Sequence, residues 1–267
     1  MRSAKLNRKT RAPRDYAVSS VRKALELLGC FTPRATSWPL SELARTVCIP
    51  KSTAHNLLRT LQAFDLVRQD PETHLYHLGP RALELGLAFS RGTDLLSLAR
   101  PQLSRLAETC GETVKLGILS RDQVLIIAAV ESRHQLHTRG DVGTRWPLHS
   151  TSLGKAILSV LPAEKAAEIL THQGMQRFTP ATLTTWAELE GELKRIRSRG
   201  YALDLEENES GVCCIAVPVT DSLQRTVAAI SISGPCVRIR GAALEEFTGH
   251  VMTAARTIAR YLDQETL

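Results

Sequence analysis

From Val18 onward apolar residues recur at three- and four-residue steps, at Val18, Val21, Leu25 and Leu28. That spacing predicts an amphipathic helix, with Ser19 or Ser20 able to cap its first turn. Residues 32–39, with two prolines, read as a loop. A short helix follows over 41–47, with Leu43, Ala44 and Val47 facing inward, and Cys48-Ile49-Pro50 breaks it. A third helix is predicted over 51–63. Its inner face is Ala54, Leu57, Leu58 and Leu61, and its outer face Ser52, His55, Asn56 and Arg59. Two alternating segments, 66–68 and 75–77, flank the turn-forming Asp70-Pro71-Glu72-Thr73. Three helices and a hairpin make a winged helix-turn-helix.

Residues 80–92 read as a linker helix through Leu83, Leu87 and Ala88. A helical pattern then runs from Leu95 to Gly111 with Pro101 as a kink. Strand patterns follow at 114–119 and 124–130 about the turn 120–123, with a weaker one at 136–139. A loop over 140–149 leads to helices at 150–161, 163–170 and 186–199, the last stopped by Gly200. Strands recur at 201–204, 214–219 and 227–233, and a helix over 242–262 closes the chain. The predicted fold class is α+β: a winged helix-turn-helix, a linker helix, and a second domain of helices around an antiparallel sheet.

Charge sharpens this division. The 267 residues carry a formal net charge of +7. Residues 1–80 hold 13 Lys/Arg against 6 Asp/Glu, whereas residues 81–267 balance at 21 against 21. Six of the basic residues (Arg2, Lys5, Arg8, Lys9, Arg11, Arg14) lie in an acid-free segment without apolar periodicity, read as a flexible basic arm. The expected divisions are an arm over 1–14, a DNA-binding domain over 15–79, a linker helix over 80–93 and a second domain over 94–267. No apolar run approaches the ~20 residues of a membrane span, and no apolar stretch follows the basic N-terminus, so a membrane or secretory location is not expected. Six scattered cysteines without a C-x-x-C pair are expected to be thiols in a reducing cytoplasm, forming neither disulfides nor a zinc site.

The third helix carries the chemistry of the first domain. Side chains near the N-terminal end of a helix reach base edges in the major groove. Asn56 suits adenine and Arg59 suits guanine, while His55 shares their face. Lys51, Ser52 and Thr53 are placed for phosphates, and Arg68 in the wing adds a further phosphate or minor-groove contact.

These segments are similar to a known family. "PLSELARTVCIPKSTAHNLLRTLQAFDLV" resembles the helix-turn-helix of the IclR family of bacterial transcription regulators. "YHLGPRALELG", "GETVKLGIL", "PLHSTSLGKAIL", "IRSRGYALDLEENESGVCCIAVPV" and "AAISISGP" continue the resemblance in order over about residues 15–265. The family usually has Arg where this chain has Asn56, so no operator sequence carries over.

The resemblance implies that the second domain is GAF-like and binds a small organic acid, typically a carboxylate. Ser152 and Leu153 open a helix whose free amides favour an anion. Asp204, Cys214, Ser231 and Ser233 match positions that line the family's pocket. Leu116, Ile118 and Ile215 are expected to supply apolar wall. The family further implies dimers or tetramers, hence a palindromic operator, with repression the commoner mode. A regulator without a ligand is the alternative. An enzyme would have to use the S-x-x-K spacing of Ser152 and Lys155, whose companion S-D-N and K-T-G motifs are missing from the sequence. No catalytic residue, metal site or cofactor is therefore assigned. The histidines His134, His137 and His149 are read as surface residues.

Overall fold

The structure, a computed structural model, describes residues 18–33, 35–91, 94–221 and 226–265. The expected arm over 1–14 lies outside the described residues. The chain divides into two compact units, residues 1–85 and 86–267.

The first unit begins with α1 (Ser19–Gly29). No side chain caps it: Ser19 and Ser20 lie inside the helix, and Val18 occupies the cap position. Of its expected apolar stripe, Leu28 packs against the core. Val18, Val21 and Leu25 are exposed, and Leu27 is the residue that enters the core. A two-residue strand, β1 (Ser37–Trp38), lies within the stretch expected to be loop. Next come α2 (Leu40–Thr46) and α3 (Lys51–Ala63), with Leu43, Ala44, Ala54, Leu58 and Leu61 buried as their periodicity predicts. The hairpin of β2 (Val67–Gln69) and β3 (Tyr76–Leu78) forms the wing, and β1 extends it on the β3 side. Asp70 organises the wing turn: its Oδ1 accepts from the amides of Glu72 and Thr73 and from the Thr73 hydroxyl, at 3.0, 2.7 and 2.9 Å. Leu27, Phe31, Leu43, Leu58, Leu61, Val67 and Tyr76 form one core.

At the wing's exit the Gly79 amide donates to the Leu66 carbonyl, and the Arg81 amide to Asp65. A Cβ at position 79 would lie 2.0 Å from the Asp65 carbonyl oxygen, so this crossing admits only glycine. Helix α4 (Pro80–Arg91) follows.

The second unit opens with α5 (Asp94–Cys110), which contains Pro101. Strands β4 (Thr113–Ser120) and β5 (Gln123–Val130) form a hairpin whose two turn residues, Arg121 and Asp122, both have positive φ. That is the backbone a tight two-residue turn demands. The expected strand at 136–139 is absent. Its carbonyls are taken by side chains instead: Thr113 Oγ1 donates to Thr138 at 2.7 Å and Arg238 to Leu136 at 2.8 Å. A short strand, β6 (Arg145–Trp146), pairs with β5 in the stretch expected to be loop.

Helices α6 (Ser152–Val160), α7 (Ala163–Gln173) and α8 (Trp186–Arg199) follow. Thr185 and Glu188 form a capping box at the start of α8, and Gly200 ends it in the left-handed conformation. Strands β7 (Ala202–Leu205), β8 (Val212–Thr220) and β9 (Thr226–Pro235) complete a six-stranded antiparallel sheet of order β6-β5-β4-β9-β8-β7. The one-turn α9 (Cys236–Ile239) and the long α10 (Ala242–Glu265) end the described chain.

Strand alternation sorts the sheet into two faces. One packs against α5 and α10 through Val114, Leu116, Cys213, Ile215, Ile230 and Ile232. The other packs against α6 and α8 through Ala202, Ala216 and Ala229 together with Leu153, Ala156 and Ile157. Leu116, Ile118 and Ile215 therefore face the α5/α10 core and cannot line a pocket on the α6 side. The cysteines also depart from expectation: Cys213 and Cys236 are disulfide-bonded, and Cys30, Cys48, Cys110 and Cys214 are free. Among the described residues no helix is long and apolar enough to cross a membrane.

Candidate nucleic-acid interface and effector site

The first candidate site is the outer face of α3. Lys51, Ser52, His55, Asn56 and Arg59 are exposed and Thr53 is half-buried. The opposite face is fixed in the core by Ala54, Leu58 and Leu61, which holds the polar face outward. Pro50 occupies the cap position and no side chain caps the helix. The first intrahelical amide bond is from Ala54 to Pro50, so the amides of the first turn point outward without a backbone partner. This is a favourable end for a phosphate. Arg68 is exposed on β2, opposite His77 of β3. Lys51, Arg59 and Arg68 make no ion pair with any described residue. Between α2 and α3, Cys48 holds a left-handed φ of 55°, a conformation that costs a side-chain-bearing residue about 1 kcal/mol.

The second candidate site lies on the α6 side of the sheet, beyond the alanines on which α6 rests. Asp204 (β7), Cys214 (β8) and Ser233 (β9) are direct cross-strand neighbours. Ser231 lies two residues along β9, opposite Lys115 of β4, and Thr113 lies opposite Ser233. Register thus brings four sequence-predicted residues into one polar patch. It adds Lys115 and Thr113, which the sequence reading passed over.

Asp204, Ser231 and Ser233 are buried. Asp204 Oδ1 accepts from the amide of Glu207 at 2.8 Å and that of Asn208 at 3.4 Å. Burial pushes its carboxyl up to about 7, opposed by the Lys155 ammonium and reinforced by the Glu207 carboxylate. Cys214 is driven the same way, up to about 12, by burial and by the charge of Asp204. It serves as a neutral thiol.

Ser152 and Leu153 sit in the first turn of α6. The Thr151 hydroxyl accepts from the Gly154 amide at 3.1 Å, capping the helix. The Leu153 side chain is packed in the apolar core, which leaves its backbone as the part a ligand could use. Gly154 is required here, because a Cβ would lie 2.3 Å from the Leu148 carbonyl oxygen. One turn on, Lys155 is fully buried and ion-paired with Glu207. Glu207 is itself raised by burial, against the pull of Lys155. The α6 start and the Asp204 turn are therefore joined through one buried charge pair. Thr179 and Thr182 fix the same turn, donating to the carbonyls of Glu206 and Glu207 at 2.6 Å each. His149 is buried as well, not at the surface as its sequence context suggested. Its Nε2 lies 2.9 Å from the Gln176 carbonyl, its ring stacks on Phe178, and burial lowers its pKa.

Glu207 Oε2 and His149 Nδ1 are buried without a hydrogen-bond partner among the described residues, and two groups of the strand patch itself also stand out by what they lack. Ser231 Oγ is buried with no hydrogen-bond partner among the described residues. Lys115 is nine-tenths buried, its ammonium 5.6 Å from the centre of the Trp146 ring, and it has no ion pair with a described residue. Burial lowers its pKa, only partly offset by Cys214, Asp141, Glu209 and Asp204. A buried cation without an anion and a hydroxyl without a partner are both costly unless something meets them. An acidic group with a second polar atom has the chemistry to do so.

Comparison with known proteins places the chain. Residues 20–71 match the family described as the IclR helix-turn-helix domain, and residues 88–260 match bacterial transcriptional regulator IclR C-terminal. The HTH-type transcriptional regulator BhcR of Paracoccus denitrificans is 37% identical over 242 residues, 91% of this chain and 86% of that protein. The transcriptional repressor IclR of Escherichia coli is 35% identical over 249 residues, 92% of this chain and 91% of that one. Among solved structures, an IclR transcriptional regulator from Alicyclobacillus acidocaldarius matches with a TM-score of 0.84 at 25% identity, covering 92% of this chain and 99% of that one. An IclR homologue from Microbacterium hydrocarbonoxydans, crystallised with 4-hydroxybenzoate, has the same fold with a TM-score of 0.81 at 24% identity, covering 91% and 98%. With both halves matched, and in the order the sequence motifs suggested, this chain belongs to the IclR family of bacterial transcriptional regulators.

Proposed function

We propose that this regulator reads DNA with α3 and the wing, and that a small carboxylate bound on the polar half of the sheet alters its affinity for DNA. The DNA-reading residues are Lys51, Ser52, Thr53, His55, Asn56, Arg59 and Arg68. The effector site comprises the backbone of Ser152 and Leu153 with Asp204, Cys214, Ser231 and Ser233, to which we add Lys115. The observation that carries this reading is the unpartnered Ser231 hydroxyl beside the ion-pair-free Lys115 on one buried polar patch, with Glu207 Oε2 and His149 Nδ1 also lacking partners nearby in the fold. The fold of the Microbacterium homologue accommodates a carboxylate of this kind, which makes 4-hydroxybenzoate a reasonable first probe.

Exposed apolar residues support self-association. Leu83, Leu85 and Leu87 of α4 and Val18, Val21 and Leu25 in and beside α1 are all at least 48% exposed. Apolar helix faces of this kind are stable when a second copy covers them. Two DNA-reading heads related by a two-fold axis predict a palindromic operator. We take repression as the mode, the cytoplasm as the location, and residues 15–79, 80–93 and 94–267 as the working domains. No catalytic role is assigned: Lys155 is committed to Glu207, which leaves the Ser152/Lys155 spacing without a free base.

Selection from a random duplex pool tests the DNA half. The enriched site should be two-fold symmetric. Asn56→Ala and Arg59→Ala should each relax one position of it, by about 1–3 kcal/mol. Equal losses on selected and random duplexes would sink base reading. Thermal shift with 4-hydroxybenzoate and a panel of other carboxylates, each beside its neutral amide, tests the effector half. Stabilisation by no acid, or equally by the amides, counts against it and favours a regulator without a ligand.

A further inference from the structure

We propose that Cys213 and Cys236 form a reversible thiol–disulfide pair whose state sets the rigidity of the turn supporting the effector site. The inference rests on the assignment of Asp204 and its neighbours to that site.

The pair lies directly behind the site. Cys213 and Cys236 are bonded, with Cα atoms 4.7 Å apart and a sequence separation of 23. On the sheet, Cys213 sits in the row Leu205–Cys213–Gly234, and the adjacent row is Asp204–Cys214–Ser233. Successive residues of a strand face opposite sides, so the disulfide and the polar patch are separated by the thickness of one sheet.

The connection to the turn over 206–211 is made of named bonds. The Cys236 amide donates to the Gly211 carbonyl at 2.8 Å. The Gly211 amide donates to Glu206 Oε2 at 3.0 Å. Arg240, which follows the single turn of α9, donates to Glu206 Oε1 at 2.6 Å. Glu206 holds a left-handed φ of 69°, a conformation that persists in a non-glycine residue only when its surroundings enforce it. The next residue, Glu207, pairs with Lys155 and donates its amide to Asp204. One edge of the effector site is thus suspended from Glu206. Glu206 is in turn clamped by α9, which the disulfide ties to β8.

The bond is positioned to open without unfolding the sheet. Helix α9 is four residues long, with Val237 88% exposed, and Gly241 with positive φ follows it. Cys236 is 7% exposed, and fraying of that one turn, which must also lift Ile239 from the core, brings its sulfur to solvent. A carboxylate oxygen of Glu206 and the two sulfurs all lie within 4.8 Å of one another. The opened pair closes again only when a disulfide oxidant arrives. With glutathione disulfide, the Cys236 thiolate attacks one glutathione sulfur and expels the other glutathione as a thiolate. The Cys213 thiolate then attacks the Cys236 sulfur and expels the second glutathione. The protons lost by the two cysteines end on the two glutathione thiols. The protein pair is oxidised and glutathione disulfide is reduced.

The test uses the full-length chain equilibrated in glutathione buffers ranging from thiol-dominated to disulfide-dominated. Alkylation followed by peptide mass analysis reads Cys213 and Cys236, and hydrogen exchange reads the amides of 204–211. The two cysteines should become protected together as the buffer oxidises. Exchange at 204–211 should slow at least about tenfold while the β4–β5 amides stay unchanged. Cys236→Ser and Cys213→Ala, two independent ways of opening the pair, should each leave 204–211 exchanging fast in both buffers. The proposal is overturned if the pair stays alkylatable in the oxidising buffer. It is equally overturned if the bond persists in the reducing one, or if exchange at 204–211 is the same in both. None of these readouts involves a ligand. Failure here is therefore distinct from failure of the effector assignment, which carboxylate binding decides.

Discussion

On the α5/α10 side of the sheet, the inward residues of β4, β8 and β9 are apolar along their buried length, from Val114 and Leu116 to Ile230 and Ile232. On the α6 side β7, β8 and β9 change character partway along. Ala202, Ala216 and Ala229 support α6, and two residues further along their strands Asp204, Cys214 and Ser231 form part of a polar patch. One face is finished as a core. The other is finished over half its length and leaves charge and hydroxyl groups under cover. Burial contributes stability on the first face and costs it on the second, and that cost is what a bound ligand can recover.

The sharpest way to break this contrast is Lys155→Ala. It strands Glu207 as a buried, unpaired carboxylate and should cost about 3–5 kcal/mol. The double variant Lys155→Met/Glu207→Gln removes both charges and should recover most of the loss in urea unfolding. If both variants lose the same amount, packing and not charge is responsible. On the finished face, Leu116→Ala should cost about 3 kcal/mol through the cavity it leaves, with carboxylate affinity of the folded protein unchanged. An affinity loss there would mean that the faces are not separable.

Asp204→Asn sharpens the comparison through pH. The folded-state pKa of Asp204 is raised from 3.8 to about 7, so between those values the folded chain holds a proton that the unfolded chain releases. Its contribution is complete below the unfolded pKa and is lost as pH rises to about 7, on the order of 1 kcal/mol per pH unit. The variant, which cannot ionise, should therefore gain stability relative to the native chain between pH 5 and pH 8. A constant difference over that range means that Asp204 does not titrate there. The smallest effect is expected of Ser231→Ala. Deleting an unpartnered hydroxyl should change stability by less than about 0.5 kcal/mol, while carboxylate affinity, followed by calorimetry, falls by up to about tenfold. Unchanged affinity removes Ser231 from the site.

The sequence was most legible where periodicity and chemistry coincide. Helix α3 was read to its ends, because its apolar and polar residues separate cleanly at helical spacing. Strands β1 and β6 have two residues each, too few to show alternation. The exposed face of α1 misled for another reason: periodicity marks an apolar stripe without saying what covers it. In the proposed effector site, Asp204, Cys214, Ser231 and Ser233 are picked out by resemblance alone. Lys115 was missed inside a strongly apolar strand, although a period of two from Thr113 puts it on their side. The Leu116/Ile215 wall failed because choosing a face requires the register of a partner strand. Pairing of Cys213 with Cys236 depends on a turn of the chain between β9 and α9 that no local spacing announces.

Gly79 has a consequence for geometry at a distance. Because the chain there lies against the Asp65 carbonyl, and the Gly79 and Arg81 amides are bonded to Leu66 and Asp65, the first turn of α4 is welded to the segment that follows α3. The end of α3, the wing's exit and the first turn of α4 are thereby tied to one another within the first unit. A side chain introduced at position 79 would have to push the Asp65 carbonyl away and so shift the first turn of α4 against the end of α3. In a two-headed regulator such a change would be felt as a preference for a different distance between half-sites, with the bases recognised in each half-site unaltered.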